Sequence, residues 1–515
     1  MLGVGVLAVA AGCQDYLDVN TNPNAPQQVS ANLYLSPMLH WLVTGPQFEG
    51  RFIGRYVQQW TVVSTVLSTW DRMGYDPGSD NGAQMWRDVY WSFGQNLIDM
   101  MNVAEREERW DILGVGYLLK AWGWQTLTDT HGEIIVKEAI NPLKTTFNYD
   151  TQEYAYQEVK RLLDEAIKLL GRTDGAVDAA YLARTDKIYG GDRTKWLKLA
   201  NGMLAIHLNH YSNKAAYKPA DVIDAVNKSF ASNADDALLT YFGTQNDDIN
   251  VWGRTRNNLN GYRPTQFVVG LMNGTVFAGA VDPRLSRMLP PSPDGQYRGV
   301  DINTTNFAGL TDPQRPNNFN GYVGTGGLGL PGRYVFDDKA RMPLITYSQL
   351  QFVKAEAAYR LGDRATALAA YTQGVSSHID FVNARNLDNN QSPAQITATE
   401  KATFLAAPAV IPTAAALTLT HIMSQKYIAQ IGWGSNEMWM DLRRYNYTDV
   451  DPASARQVYP GFTPPTTLYP DNSGKIVQRI RARFNSEYVW NRASLDTFGG
   501  LALDFHTKPL WITTP

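Results

Sequence analysis

The stretch Ile112–Thr128, ILGVGYLLKAWGWQTLT, decides the fold. Only Lys120 and Gln125 interrupt its apolar, small and hydroxyl residues, so about four turns of helix would be apolar on nearly every side. The stretch predicts a helix that is buried in protein, and it is too short and too interrupted to span a bilayer. Its small residues predict that a second helix packs closely against it: Gly114, Gly116, Ala121 and Gly123.

Further helices follow in pairs along the chain. After the buried helix, Asp150–Glu153 resembles a capping box and opens an amphipathic helix that ends at Gly171. Together the two would form an antiparallel hairpin. The same plan recurs in Lys195–Tyr211 with Pro219–Ala231, and in Tyr347–Leu361 with Asp363–Val382. The last pair has the small–large spacing of a tetratricopeptide-like hairpin.

These patterns predict a mostly α fold, in which tetratricopeptide-like helical hairpins form a scaffold that carries long irregular loops. The loop insertions are expected at about 240–346 and 446–515, and loops of this length often carry function. Within residues 31–67 the spacing predicts two helices, the second at about Arg51–Thr65.

The N-terminus has the pattern of an exported lipoprotein. Residues 1–12, MLGVGVLAVAAG, form an apolar run that ends in small residues, which is typical of a cleaved signal peptide. Cys13 follows directly and is expected to be the lipidated first residue of the mature protein; an unmodified N-terminal cysteine is the alternative. Residues 13–30 then form a tether, and residues 31–515 form a single helical domain. A lipid would anchor the protein to a membrane without spanning it.

Composition narrows the possible function classes. The chain has 515 residues, a net charge of -3 and only 18% charged residues, so no phosphate-binding surface and no nucleic-acid partner are expected. The single cysteine excludes an internal disulfide. Abundant Trp, Tyr and Asn favour a secreted or surface protein over a cytosolic enzyme.

Signatures of catalysis and metal binding are missing from the sequence. It contains no G-x-S-x-G, H-E-x-x-H, P-loop or C-x-x-C motif. His207 and His210 are more typical of a core or surface pair than of a metal site. The acidic pairs Asp247-Asp248 and Asp449-x-Asp451 do not follow the EF-hand pattern, and solvated loop carboxylates are expected there. No catalytic residue, metal or cofactor is therefore predicted.

Aromatic and planar polar residues are concentrated in the loops. Rings offer an apolar face for the C–H face of a sugar, and Arg and Asn offer forked hydrogen bonds to its hydroxyls. The alternative is that these rings attach the loops to the scaffold. The residues predicted to contact ligand are Trp70, Arg72, Tyr75, Trp252, Arg254, Asn257 and Tyr262. A further group lies at Asn317–Asn320, Tyr322, Arg333 and Tyr334.

The order of motifs along the chain resembles the SusD/RagB family of outer-membrane lipoproteins, in its SusD-like branch. The post-lipobox opening Cys13–Val19 is similar to that of the family, and later blocks match it in turn. They are Thr128–Ile134, Asp192–Asn201, Asp282-Pro283-Arg284, Glu356–Arg360, Gln425–Ile428, Glu437 with Trp439, Asp441 and Arg443-Arg444, and Arg483 with Glu487 and Asn491.

This resemblance implies a fold, a function and a partner. The family is built on four tetratricopeptide-like hairpins and sits as a lid on a TonB-dependent outer-membrane transporter of the SusC type. We therefore expect a cell-surface lipoprotein, anchored in the outer membrane, that binds oligosaccharides and delivers them to such a transporter without cleaving them. Peptide binding, as in RagB-like members, is the main alternative. A glycoside hydrolase, with two facing carboxylates, and a purely structural adaptor are the others.

Overall fold

A computed structural model describes residues 29–515 except 65, 77, 246–247, 255, 260, 305–306, 308, 320–332 and 389–393, and leaves undescribed the side chains of 254, 256 and 257. The expected signal peptide, Cys13 and nearly all of the tether lie outside the described residues, so the proposed division of the chain stays a prediction. In the described part, no helix combines the length and the apolar character that crossing a membrane requires.

Most of the regular structure is helical, which confirms the predicted fold class. The helices are α1 Leu35–Tyr56, α2 Gln84–Arg87, α3 Gly94–Arg106, α4 Trp110–His131, α5 Gln152–Leu170, α6 Ala179–Ala183, α7 Arg193–His210, α8 Pro219–Asn227, α9 Val251–Arg254, α10 Gln266–Met272, α11 Leu285–Met288, α12 Tyr347–Leu361, α13 Arg364–Asn386, α14 Ala398–Ala406, α15 Leu419–Ala429, α16 Ser435–Arg444, α17 Phe484–Trp490 and α18 Arg492–Asp496. A π-helical segment, Asp88–Phe93, joins α2 to α3.

Short strands tie the loops together in antiparallel pairs. The strands are β1 Trp60–Val62, β2 Ala237–Leu239, β3 Tyr262–Pro264, β4 Met342–Ile345, β5 Val450–Asp451 and β6 Arg456–Gln457. β1 pairs with β3, β2 with β4 across a register shift, and β5 with β6. The first two pairings therefore join segments far apart in sequence, so they fix the long insertion onto the helical scaffold.

The helix α4 contains the stretch that was predicted to be buried, and its small residues are explained by close neighbours. A Cβ atom on Gly114 would lie 3.1 Å from the backbone nitrogen of Leu170 in α5. On Gly116 it would lie 2.6 Å from Met101 Cγ in α3, and on Gly123 it would lie 3.0 Å from Val89 Cγ1 in the π-helical segment. Three different elements therefore approach α4 at its glycines, where the prediction had a single partner helix.

The predicted hairpins are present as α4 with α5, α7 with α8, and α12 with α13. The cap of α5 differs from the prediction, because the Thr151 hydroxyl accepts the Tyr154 amide. Asp150 instead pairs with Ile134 through the backbone, and its side chain accepts the amides of Val136 and Lys137. The acid one residue before the cap is thus used to shape the preceding loop.

The two helices predicted within residues 31–67 are a single helix, α1, which ends at Tyr56 and is followed by β1. Pro46 lies inside α1 and did not end it. The helix is largely buried along its length, and packing against α16 and α2 outweighs the local cost of the proline. Gly45 lets the Asp88 carboxylate approach, since a Cβ there would be 2.2 Å from Asp88 Oδ2.

A chain of buried charges, the buried ion network, connects the hairpins at their centre. Glu356 of α12 accepts both terminal nitrogens of Arg444 of α16, at 2.8 and 2.9 Å. Arg444 also pairs with Asp441 at 2.6 Å, and Asp441 pairs with Lys426 of α15 at 2.7 Å. All four side chains are almost fully buried. Helices distant in sequence therefore share one set of mutually compensating charges.

The network continues from Lys426 to the first two hairpins. Lys426 lies 3.2 Å from Glu437, whose other oxygen lies 3.0 Å from His210 Nε2 in α7. His210 Nδ1 faces Asp129 of α4 at 3.5 Å. Burial alone would lower the pKa of His210, but Glu437 and Asp129 on either side raise it above its usual value. The two acidic side chains thereby favour the protonated form of the imidazole.

Removing one partner of the buried ion network should strongly destabilise the protein. In Glu356→Gln the Arg444 guanidinium loses its bidentate acceptor in the interior, and we expect a loss of about 3–5 kcal/mol in the free energy of unfolding. The matched control is Glu158→Gln on α5, where the carboxylate pairs with the exposed Arg161 at 2.7 Å. That change should cost less than about 1 kcal/mol. Urea unfolding followed by circular dichroism measures both; equal midpoints would contradict the prediction.

Candidate functional site

The three rings predicted to stack on ligand are buried, so their predicted exposure is wrong. Trp70, Tyr75 and Trp252 are 6%, 1% and 2% exposed. Trp70 packs against the rings of Phe52 and Tyr56, with centroids 4.6 and 5.1 Å apart, and Tyr75 lies at its edge at 5.4 Å. The loop after β1 is therefore attached to α1 through its aromatic residues.

Trp252 attaches the long insertion to the scaffold in the same way. Its indole nitrogen donates to the Gly432 carbonyl at 2.7 Å, and its ring lies 5.3 Å from Trp60 and 5.8 Å from Phe336. Both faces of the indole are thus packed within protein. In this structure no sugar ring can stack on Trp70, Tyr75 or Trp252, and the alternative reading of such rings, attachment of loops, applies to all three.

Of the other residues predicted to contact ligand, Arg72 and Tyr262 have structural roles. The side chains of Arg254 and Asn257 lie outside the described residues. Arg72 is half-buried and donates from Nη2 to the Leu468 carbonyl at 2.8 Å. Tyr262 lies in β3, is half-buried and packs against the core. Arg254 and Asn257 have described backbones, in α9 and the following 3-10 turn, but their side chains lie outside the described residues. Those predicted residues whose side chains are described do not line a common cavity.

The buried position of Trp252 predicts a stability defect from its truncation. Trp252→Ala should lower the free energy of unfolding by about 3–5 kcal/mol, because it leaves a cavity and an unpaired Gly432 carbonyl. The control is Trp490→Ala, since Trp490 is 64% exposed and its loss should change the value by less than about 0.5 kcal/mol. Urea unfolding curves of both variants test this, and an unchanged midpoint for Trp252→Ala would contradict it.

An open groove of about 680 Å³, here called the Trp91 groove, lies beside the π-helical segment. Its volume is in the range of small-molecule sites. One wall comes from the π-helical segment and the start of α3, and the other from residues 139–147 and α17. Its lining residues are Trp86, Arg87, Tyr90, Trp91, Gln95, Asn96, Ile135, Ala139, Ile140, Asn141, Pro142, Phe147, Arg483, Ser486 and Glu487.

Trp91 is the exposed ring of this groove, at 67% exposure. The Arg87 guanidinium lies over the indole, 4.6 Å from the ring centroid. Since one face is partly covered by Arg87 and the side chain is still mainly exposed, the ring offers a free surface to a ligand. Exposed amides of Gln95 and Asn96 follow one turn later on the same wall. The combination of an open ring and planar amides is the one expected for a sugar-binding surface.

The sequence around Trp91 explains why this ring is outside the core. Trp86, Tyr90 and Phe93 follow the helical spacing i, i+4, i+7 and face the core, which leaves Trp91 on another side of the helix. The π-helical turns widen the helix here, and such segments often mark functional sites. Gly94 ends the segment with φ +37°, a value that favours glycine. Trp91 is not among the residues that the sequence predicted to contact ligand, although its position off the apolar stripe is a usable signal.

The opposite wall is held by residues of the final motif in the sequence. Glu487 accepts hydrogen bonds from the Tyr149 hydroxyl at 2.8 Å and from Asn491 Nδ2 at 2.5 Å. Asn491 Oδ1 accepts the Phe147 amide at 2.7 Å. Burial and the neighbouring Glu487 raise the pKa of Tyr149 well above its usual value, so its hydroxyl remains a donor. The C-terminal motif thus fixes the loop that borders the groove.

Two further cavities are less suited to an oligosaccharide. A buried one of about 110 Å³ is lined by Asp129, Glu437 and His210, but it is below the volume of ordinary ligand pockets. Its carboxylates are also already engaged by His210, Tyr156 and Lys426. A surface groove of about 500 Å³ lies between the start of α11 and α14 and offers one half-buried ring, Tyr297.

The acidic pairs considered for calcium serve as backbone acceptors. Asp451 is buried, not solvated as expected, and accepts the Leu419 amide at the start of α15, at 2.9 Å. Asp248 accepts the Phe242 amide at 3.2 Å within its own loop, and Asp247 is outside the described residues. No group of three potential metal ligands is found among the described residues.

Comparisons with known proteins agree with this architecture. A family model described as SusD-like, starch-binding and associating with the outer membrane, matches residues 23–470. No match is found among curated proteins. Arg483 and Glu487 of the Trp91 groove lie beyond the matched range, whereas Trp91 and Arg87 lie within it.

Solved structures match over nearly the whole chain. A SusD/RagB family protein from Bacteroides thetaiotaomicron is 23% identical, covers 94% of this chain and 99% of its own, and has a TM-score of 0.70. A SusD homologue from Bacteroides fragilis is 19% identical, with 95% and 100% coverage and a TM-score of 0.72. A chitin-binding SusD homologue from Flavobacterium johnsoniae is 18% identical, with 94% and 98% coverage and a TM-score of 0.67.

These structural likenesses establish the fold and, at such low identity, only the fold. The family model extends over most of the sequence and agrees with the order of motifs from Asp192–Asn201 to Arg443-Arg444. The resemblance predicted from those motifs is thereby confirmed. The chain belongs to the SusD-like family of starch-binding proteins that associate with the outer membrane.

Proposed function

We propose that this protein is a surface-exposed lipoprotein that captures oligosaccharides at the Trp91 groove and delivers them to a TonB-dependent transporter of the SusC type. The observation that carries the binding site is the exposed indole of Trp91 in an open groove of about 680 Å³. Trp91 takes the stacking role that the sequence had assigned to Trp70, Tyr75 and Trp252.

The chemistry of the groove suits a sugar. The C–H face of a pyranose stacks on an indole, and its hydroxyls need donors and acceptors at the edge of the ring. Exposed Asn96 and half-buried Asn141 supply amides on the two walls. Gln95 donates to Asp99 at 2.8 Å, which leaves its carbonyl oxygen as an acceptor. Apolar groups such as Pro142 and Ile135 add contact area between these polar points.

Relatives support the same ligand class. The family as a whole is described as starch-binding, and two of the similar solved structures are chitin-binding proteins. Both ligands are polysaccharides of pyranose units, although the relatives are too distant to give the identity of the sugar.

Binding without cleavage is favoured by the acids of the groove. Among the described residues that line it, Glu487 is the sole carboxylate, and it is engaged by Tyr149 and Asn491. Glycosidases generally use two carboxylates that flank the scissile bond. A groove with one committed acid is therefore better suited to holding a glycan than to hydrolysing it.

Truncation of Trp91 should weaken glycan binding without affecting the fold. We expect Trp91→Ala to reduce affinity at least about 10-fold, which corresponds to about 1.4 kcal/mol, because a stacking face is removed from an exposed site. Isothermal titration with starch and chitin oligosaccharides, and with protein digests, measures this. Phe242→Ala is the control, since Phe242 is an exposed ring that does not line the groove.

Equal affinities for the wild type and Trp91→Ala would reject this site. Binding of peptides alone would favour the RagB-like alternative, and release of shorter sugars from incubated polysaccharide would favour a hydrolase.

The membrane anchor and the transporter are tested together in the source bacterium. Cys13→Ala should move the protein from the outer-membrane fraction to the soluble fraction, because the lipid is the proposed anchor.

Affinity purification of the tagged wild-type protein from detergent extracts should bring down a TonB-dependent transporter, identified by mass spectrometry. A membrane-bound Cys13→Ala protein would contradict the anchor, and recovery without such a transporter would contradict the partnership.

A further inference from the structure

The charged groups of the Trp91 groove differ in sign from the chain as a whole. The protein carries a net charge of -3, yet the charged residues that line the groove are two arginines, Arg87 and Arg483, and one glutamate, Glu487. Arginine can donate to the hydroxyls of a neutral sugar, but its forked, charged donors bond more strongly to a carboxylate or sulfate. The class of sugar that the groove can bind therefore depends on whether each of these charged groups already has a partner of opposite charge in the protein.

Arg87 is exposed and makes no ion pair or hydrogen bond through its side chain with any residue that the structure describes. Its contact is the indole of Trp91, over which the guanidinium lies. Stacking orients a guanidinium but leaves its in-plane N–H donors unused. A forked donor is therefore held beside the exposed ring of the groove, where a carboxylate or sulfate could accept it in bidentate fashion.

Arg483, on the opposite wall, is weakly paired. Its nearest carboxylate, that of Asp80, lies 3.5 Å away and is shared with Asn485, which donates to it through both its amide and its side chain. A half-exposed pair of this length contributes at most about 1 kcal/mol, so an anionic ligand can compete for the guanidinium.

Glu487, the acid of the groove, is buried, and its Oε2 atom is occupied by Tyr149 and Asn491. Glu487 is therefore engaged in holding the loop that contains Tyr149. Arg483 has Asp80 nearby, so Arg87 is the lining cation that has no carboxylate partner among the described residues.

We propose that the Trp91 groove binds an acidic oligosaccharide, with the ring of one unit on Trp91 and its carboxylate or sulfate paired by Arg87, assisted by Arg483 across the groove. This inference rests on the proposed glycan-binding function and specifies its substrate class. Uronates and sulfated sugars share the required anion, so the structure assigns the anion and leaves its source to experiment.

The test compares acidic glycans with neutral counterparts of the same backbone by isothermal titration. Carboxylate probes are oligogalacturonate and oligoalginate, each against its carboxyl-reduced form; the sulfate probe is a κ-carrageenan oligosaccharide against its desulfated, neutral form. We expect at least one acidic member to bind about 10-fold or more tightly than its neutral partner, with an advantage that declines as salt is raised. The pair that shows the effect identifies the anion.

Arg87→Gln should remove most of the advantage of the acidic glycan, so that the ratio of its affinity to that of its neutral partner falls towards one. Arg87→Lys should restore part of the difference, because an ammonium keeps the charge but not the fork. The control is Arg298→Gln, which removes a surface arginine outside the groove that pairs with Asp294 at 2.7 Å. Arg87 is exposed, so these variants should retain the wild-type circular dichroism spectrum.

Equal binding of every acidic and neutral pair, or an unchanged ratio in Arg87→Gln, would overturn the inference. In that case, neutral binding that Trp91→Ala abolishes would leave the proposed function standing. Failure of the wild-type protein to bind any glycan, neutral or acidic, would reject both.

Discussion

The buried ion network is the constraint on which the rest of the structure depends. Glu356, Arg444, Asp441 and Lys426 are almost fully buried and compensate one another, and the chain of contacts continues through Glu437 and His210 to Asp129. Charges in the interior tolerate little displacement, because each loses its solvation and regains it only from a correctly placed partner. The network therefore sets the relative position of α4, α7, α12, α15 and α16. We attribute to it a role in specifying the arrangement of hairpins rather than a large net gain in stability.

With the hairpins fixed, the aromatic residues of the loops divide into two groups. Trp70, Tyr75 and Trp252 fill the space between loops and scaffold, and Trp252 also satisfies a buried carbonyl. Trp91 and Trp490 remain exposed. Long loops expose many backbone polar groups, and large rings with a polar edge can anchor such loops at few points. The abundance of rings therefore reflects the length of the loops as well as the binding surface.

The Trp91 groove joins parts of the chain that are far apart in sequence. The π-helical segment Asp88–Phe93 presents Trp91, and its position depends on Gly123 of α4, against which Val89 packs. The other wall depends on Glu487 and Asn491, which hold the loop at Phe147 and Tyr149. Both walls are thus attached to residues of the scaffold, which gives the groove a defined shape. A binding platform of this kind loses little entropy when a flexible glycan is ordered on it.

The sequence by itself determined the helical scaffold, since apolar periodicity reports burial directly: α4, its hairpin with α5 and the pair α12 and α13 follow from spacing alone. Its motifs also determined the family. Local patterns did not determine that α1 continues through Pro46, or that Thr151 and not Asp150 caps α5, because tertiary packing and loop contacts decided both.

Which rings are exposed depends on contacts between distant parts of the chain. Trp252, in the long insertion, was predicted to be exposed but packs into the core, whereas Trp91, on the π-helical segment, faces solvent. The difference arises from neighbours hundreds of residues away, such as Gly432 for Trp252 and Arg483 for the groove of Trp91. Exposure is a property of the assembled fold, and the sequence pattern alone carries no information about those distant contacts.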